Sequence, residues 1–255
     1  KALRPAWPGV VWAPFSPLVV TEVPDPALPG PRWLRVRNKQ CGICASDLSL
    51  LMVKADPAVA PAALPGNTRF YLGHETIGEV VEVGNGVTRF RPGDRVIMGT
   101  RFMGRNCLTQ EITPPCRQCA AGQVRLCENA SLGRGPGGEG GGWGDSYTAH
   151  EDEIVPAAPG LSDDQAALVE PAAVALHGVL RRPPTSGDHV LIVGAGIIGL
   201  LTVQAVKAVT PDCRMTVLAR YPHQADAARR LGADDIVRGR EGLYPKMAEL
   251  TGAKY

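Results

Sequence analysis

The stretch from His189 to Val209, HVLIVGAGIIGLLTVQAVKAV, decides the fold. An apolar run of strand length passes directly into Gly194-x-Gly196-x-x-Gly199, and an apolar segment of helical length follows. In such a turn the first glycine permits a tight reversal, the second lets the backbone approach a pyrophosphate and the third lets helix and strand pack closely. The helix N-terminus favours the negative charge. Gly194, Gly196, Ile197, Ile198 and Gly199 are therefore candidate dinucleotide-binding residues. Three spaced glycines alone are weak evidence, since a structural turn uses them too. The order of elements favours the cofactor: strand, helix, a second strand MTVLA (215–219) and a helix ending near Gly232. That alternation predicts a parallel sheet.

At the end of the second strand, about twenty residues on from the glycines, an acid ordinarily takes the ribose hydroxyls of NAD. Here the chain reads ARYPHQ (219–224), with Arg220 where the acid would stand. An arginine pairs with a 2′-phosphate, which favours NADP over NAD, with Tyr221 or His223 assisting. The alternative is an ordinary surface arginine.

Toward the N-terminus, LSDDQAALVEPAAVALHGVL (161–180) has Ser162 as a helix cap, acids in the first turn and apolar residues at helical spacing. From Val10 to about Val155, Pro and Gly separate short β-branched runs, LRVRN, GEVVEVG and DRVIMG, which predicts an all-β half. GRGPGGEGGGWGD (133–145) reads as a flexible surface loop. No internal repeat is found.

Seven cysteines in a chain with no secretion signal favour thiols and metal ligands over a disulfide framework. Cys116-x-x-Cys119-x7-Cys127, with Cys107 upstream, offers four thiolates that would saturate a zinc and staple a lobe lacking its own core. Plain buried cysteines are the alternative, kept open by the long gap from Cys107 to Cys116. The segment 42–84 is different chemistry. A thiol at Cys44, an imidazole at His74 and carboxylates at Glu75 and Glu170 make a mixed ligand set with room for water or substrate, the kind in which zinc acts as a Lewis acid. By spacing alone Cys44 fits packing, His74 a turn histidine and Glu170 a helix N-terminal acid equally well.

At 44% hydrophobic and 20% charged, 255 residues suffice for a packed core in one large domain or two modest ones. The net charge of +2, with no basic run, lacks the electrostatic footprint of a nucleic-acid binder. Neither a signal peptide nor an apolar run of about eighteen residues is found, so a cytoplasmic protein without a membrane partner is expected.

Together, GICASD (42–47), GHETIGEVVEVGNGVTRFRPGDRV (73–96), the Cys-rich lobe, LSDDQAALVEPAAVALHG (161–178) and VGAGIIG (193–199) resemble the zinc-dependent medium-chain dehydrogenase/reductase family, the alcohol and polyol dehydrogenases. The resemblance implies α/β plus β: a GroES-like β domain with a structural zinc lobe (1–170), followed by a partial doubly wound Rossmann domain (171–255) whose family pattern continues past Tyr255. It implies Cys44 and His74 as catalytic zinc ligands, Glu75 as the adjacent acid, Glu170 at the third-ligand position, Asp47 as the acid orienting the histidine and Ser46 as the hydroxyl taking the substrate proton. Cys41 and Cys213 fall outside the matched pattern as packing thiols, Ser49 sits near the family's proton-relay position, and His177, two turns after Glu170, faces either the cleft or the core. In the lobe, Thr113 holds the place of the family's first structural cysteine, so only an insertion brings Cys107 in. The implied protein oxidises a small alcohol, polyol or sugar with NAD(P), using catalytic and structural Zn2+, as a homodimer or homotetramer. A rival reading is a non-catalytic, zinc-stapled nicotinamide-binding sensor, indifferent to Ser46 and Glu170. A zinc-free reductase of the same superfamily would lack Cys44, His74 and the Cys lobe.

Overall fold

A computed structural model describes residues 20–52, 54, 71–99, 106–129, 140–239 and 241–252. It divides into two compact units, with the boundary between Leu168 and Val169.

The first unit is a five-stranded antiparallel sheet of order β4-β1-β2-β3-β5, from β1 (Trp33–Cys41), β2 (Thr76–Val83), β3 (Arg95–Met98), β4 (Ser146–His150) and β5 (Ile154–Pro156). The runs LRVRN, GEVVEVG and DRVIMG supply β1, β2 and β3. Register pairs Leu34 with Val83 and Val36 with Val80, so alternate apolar side chains fall on one face. That face buries Leu34, Val36, Val80, Val96, Tyr147, Ala149 and Ile154. The connection after β1 carries α1 (Ala45–Leu51), and a short α2 (Arg117–Ala120) lies in the Cys-rich lobe.

Two expectations are corrected here. Residues 133–139 lie outside the described residues, but 140–144 are held rather than loose. Gly142 N donates to Gly73 O (2.9 Å), Trp143 N to Leu72 O (3.2 Å), and Asn38 Nδ2 to Gly141 O (2.9 Å) and Gly144 O (2.7 Å). Here the glycines permit close backbone pairing, which composition alone does not distinguish from flexibility. The segment 161–180 is two helices, α3 (Asp163–Ala167) and α4 (Val169–Arg181). Ser162 caps α3 as expected, its Oγ accepting from Gln165 N at 3.2 Å. The break falls at Leu168, three residues before Pro171, which has no N–H to give to Ala167 O.

In the second unit, β6 (His189–Val193), β7 (Arg214–Ala219) and β8 (Asp235–Arg238) form a parallel sheet of order β6-β7-β8. They are joined through α5 (Ile197–Val209) and α6 (Pro222–Arg230), and α7 (Leu243–Thr251) follows. The core gathers Val203, Val206, Met215, Val217, Ala219, Ala225 and Ala228. Small residues on α6 let that helix sit close to the sheet. His177 on α4 is exposed, so the core alternative does not hold. Among the described residues no helix is long and apolar enough to cross a membrane.

Candidate functional site

The Sγ atoms of Cys107, Cys116, Cys119 and Cys127 all lie within 4.8 Å of one another. The Cys107–Cys127 and Cys116–Cys127 separations are 3.7 and 4.0 Å, far beyond a disulfide bond. A tetrahedral zinc with Zn–S near 2.3 Å sets its sulfurs about 3.8 Å apart, so the donors fit that ion. The long gap after Cys107 is closed by a tight turn. Asn106 Oδ1 accepts from Leu108 N (2.9 Å) and Thr109 N (3.3 Å), and Ile112 N donates to Cys107 O (2.9 Å). Thus Cys107 joins the cage despite Thr113 standing where the family has a cysteine. N–H donors already face the sulfurs: Cys116 N and Asn129 Nδ2 each lie 3.4 Å from Cys107 Sγ, and Cys119 N lies 3.5 Å from Cys116 Sγ. The N–H groups of Cys119 and Glu128 bring the Cys116 thiol down to about 6.

The second cluster brings ligand atoms of Cys44, His74 and Glu75 within 4.8 Å of one another. Cys44 caps the N-terminus of α1, while His74 and Glu75 immediately precede β2 and are buried. Asp47, fully buried, ties these turns together. Its Oδ2 accepts from Cys44 N (3.2 Å), its Oδ1 accepts from Gly73 N (3.0 Å), and the same Oδ1 is 3.4 Å from His74 Nδ1. With Nδ1 turned toward Asp47, Nε2 is the nitrogen that would face a metal held by this group. Burial alone would raise the Asp47 carboxyl, but the His74 ring and the two N–H groups outweigh it and hold it below its ordinary value. Burial likewise opposes the imidazolium, yet Asp47 and Cys44 push His74 up to about 9. The neighbouring carboxylate and thiol thus favour positive charge at this point.

Glycine is needed at position 42 for a reason visible in the packing. A Cβ there would come 2.2 Å from Glu75 Oε2, so any side chain would displace the carboxylate. Trp143 Nε1 donates to Gly42 O at 3.4 Å, a contact that sequence spacing gave no means of finding. Ser46 Oγ is buried and without a hydrogen-bond partner among the described residues. Ser49 Oγ donates back to Ala45 O (2.8 Å). The Cys41 thiol donates to Gly42 O and is pushed up to about 12, first by burial; Cys213 donates to Asp188 O within the core of the second unit. Both occupy packing positions. Glu170 stands in the first turn of α4, in the second unit.

In the dinucleotide turn the three glycines answer three separate demands. Gly194 takes φ of +105°, in the region that favours glycine. A Cβ on Gly196 would meet nothing within 4 Å, leaving open space over the helix N-terminus, and a Cβ on Gly199 would come 1.9 Å from Gly194 O. A cavity of about 480 Å³ lies here, lined by Val193, Gly194, Gly196, Ile197, Ile198 and Thr202 among others. Open backbone N–H groups at a helix start suit a pyrophosphate. Arg220 follows β7 directly, its guanidinium 5.2 Å from the centroid of the Tyr221 ring, and Tyr221 stacks on His223 at 5.7 Å and 7°.

The alcohol dehydrogenase GroES-like domain matches residues 30–159. The chain is 31% identical over 234 residues to sorbitol dehydrogenase of Halalkalibacterium halodurans, covering 91% of this chain and 62% of that protein. To (R,R)-butanediol dehydrogenase of Bacillus subtilis it is 33% identical over 227 residues, covering 87% and 61%. Among solved structures, alcohol dehydrogenase TADH of Thermus sp. ATN1 is similar at a TM-score of 0.71 and 27% identity, over 91% of this chain and 63% of that one. The chain belongs to the zinc-type medium-chain alcohol/polyol dehydrogenase family. It spans about three fifths of the length of these relatives.

Proposed function

We propose that the whole protein is a zinc-dependent oxidoreductase transferring a hydride between a secondary alcohol, polyol or sugar and NADP. The observation that carries this is the convergence of Cys44, His74 and Glu75 on one point, with a Ser46 hydroxyl two residues on from Cys44 that is buried and without a hydrogen-bond partner among the described residues. Cys44, His74 and Glu170 would hold the catalytic zinc, with Glu75 as the adjacent acid that can ligate or give way to water, and Cys107, Cys116, Cys119 and Cys127 would hold the structural one. Zinc supplies Lewis acidity toward a substrate hydroxyl, and the nicotinamide supplies the hydride acceptor. Asp47 fixes the His74 ring. Ser46 Oγ would accept the proton that leaves the substrate hydroxyl while passing its own hydroxyl proton on to solvent water, so that the hydroxyl is regenerated. Gly194, Gly196 and Gly199 seat the pyrophosphate, Ile197 and Ile198 line its cavity, and Arg220 on the Tyr221 ring meets the 2′-phosphate. The named relatives act on sorbitol and butanediol, which supports a hydroxyl-bearing small molecule as substrate.

The test is Cys44→Ser and Ser46→Ala in the full-length protein, assayed for nucleotide reduction over a panel of alcohols, polyols and sugars. We expect losses on the order of 10² or more, the usual weight of a positioned proton acceptor. Unchanged turnover in both variants would overturn the catalytic reading in favour of a zinc-stapled nucleotide-binding protein.

A further inference from the structure

We propose that Arg238, at the end of β8, is a second cationic residue for the adenosine 2′-phosphate and with Arg220 forms a two-arginine clamp that sets the preference for NADP. This rests on the reading of Arg220 given above and extends it to a residue on a different strand.

Strand register brings the two arginines to one edge of the sheet. In the parallel sheet Val193 pairs with Leu218 and Ala219 with Arg238, and Gly194 N donates to Leu218 O at 3.1 Å. The glycine turn, the end of β7 and the end of β8 therefore form one row along the carboxyl edge of the sheet. Ligands of open parallel sheets bind outside this edge. Adjacent strands are roughly 4.8 Å apart, so Arg238 is about one strand spacing from Ala219 and is a diagonal neighbour of Arg220. Both arginines are exposed.

Charge bookkeeping in this unit supports the assignment. Asp235 engages Arg214 and Lys246, Asp234 engages Lys207 and the N–H of Met215, and Asp226 engages Arg229. Neither Arg220 nor Arg238 has an ion pair among the described residues, and no acid occupies the first turn of α6, which begins beside Arg220. A phosphate monoester is doubly charged near neutral pH and accepts bidentate hydrogen bonds from a guanidinium fork, so two arginines without acid partners at adjacent strand ends suit it better than a ribose hydroxyl. Arg220 is already laid on the Tyr221 ring, which reduces the side-chain ordering needed on binding.

The experiment is calorimetric titration of the full-length protein with 2′,5′-ADP and with 5′-AMP, for the wild type and for Arg220→Ala, Arg238→Ala and Arg238→Lys. The wild type should bind 2′,5′-ADP at least tenfold more tightly than 5′-AMP. Arg238→Ala should cut that ratio by roughly tenfold, the weight of one charge-assisted hydrogen-bonded pair, with Arg238→Lys restoring part of it. Measurable 5′-AMP binding in the variants shows that the turn has stayed intact. A wild-type ratio of one or less overturns the NADP reading itself. A high wild-type ratio that collapses in Arg220→Ala but stays at its wild-type value in Arg238→Ala overturns the clamp and leaves Arg220 as the lone reader.

Discussion

The two ligand clusters of the first unit are built on opposite plans. In the Cys-rich lobe all four donors are sulfur, all come from one short segment, and backbone N–H groups of that segment face the sulfurs. In the Cys44 cluster one thiol, one imidazole and one carboxylate arrive from two separated turns, and a buried carboxylate outside the set, Asp47, joins them. Four thiolates close a tetrahedron and leave no open position, whereas three unlike donors leave one. On the function proposed above, the first plan serves as a staple and the second as a place for chemistry.

The sharpest way to break this contrast is to remove one sulfur from each. Cys119→Ser should cost about one equivalent of zinc per chain and lower the melting temperature by roughly 10 °C, since metal binding in such a lobe is folding free energy. Cys44→Ser should cost about one equivalent with a much smaller thermal shift. Metal analysis and melting curves on the same samples check both, and equal shifts would erase the distinction. Next in size, Asp47→Asn should weaken the Cys44 site's hold on zinc by about 10- to 100-fold while the lobe keeps its metal, measured by chelator competition. Gly42→Ala should follow, because the new methyl drives the Glu75 carboxylate away; a roughly tenfold loss of kcat/KM with little change in melting is expected.

Acid tests the sheet that carries both clusters. Burial would raise Glu151, but the N–H groups of Thr88 and Arg89 and the Arg32 guanidinium (2.8 Å) hold it below its ordinary 4.5. Its contribution is therefore present above 4.5 and lost as pH falls through its lowered folded value. His150 is pushed below 6.5 by burial, so the unfolded chain takes up a proton near that pH that the folded chain does not, and stability falls below it. Melting temperatures should decline below pH 6.5 and more steeply below 4.5. His150→Gln should flatten the upper step, and a pH-independent melting temperature refutes both assignments. The smallest effect expected is that of Asn129→Ala, which removes one donor to Cys107 Sγ and should speed zinc loss from the lobe a few-fold, followed by stopped-flow chelation.

How far these features could be read from the chain follows from how local they are. The glycine turn, the Ser162 cap and the short β runs depend on neighbours in sequence, and each appears where its residues predict. The split at Leu168 was equally local and is legible once the missing N–H of Pro171 is counted. The place of Cys107 was not, because a turn closed by Asn106 and Thr109 has no spacing rule. Trp143 against Gly42 O and Glu151 beneath Thr88 and Arg89 were also beyond reach, since they join positions about a hundred and about sixty residues apart through pairing that only the folded sheet creates.

The locality of the sulfur cage has a temporal consequence. Cys107 and Cys127 close a short loop, so capture of an ion there incurs little chain-closure entropy and needs no finished sheet. Cys44 and His74 come together only after β1 and β2 have paired, with Asp47 seated between the turns. During synthesis the staple can load as soon as its segment emerges, whereas the other site must wait for its architecture. On the function proposed above, a cell short of zinc would thus accumulate chains filled at the lobe and empty at the Cys44 cluster.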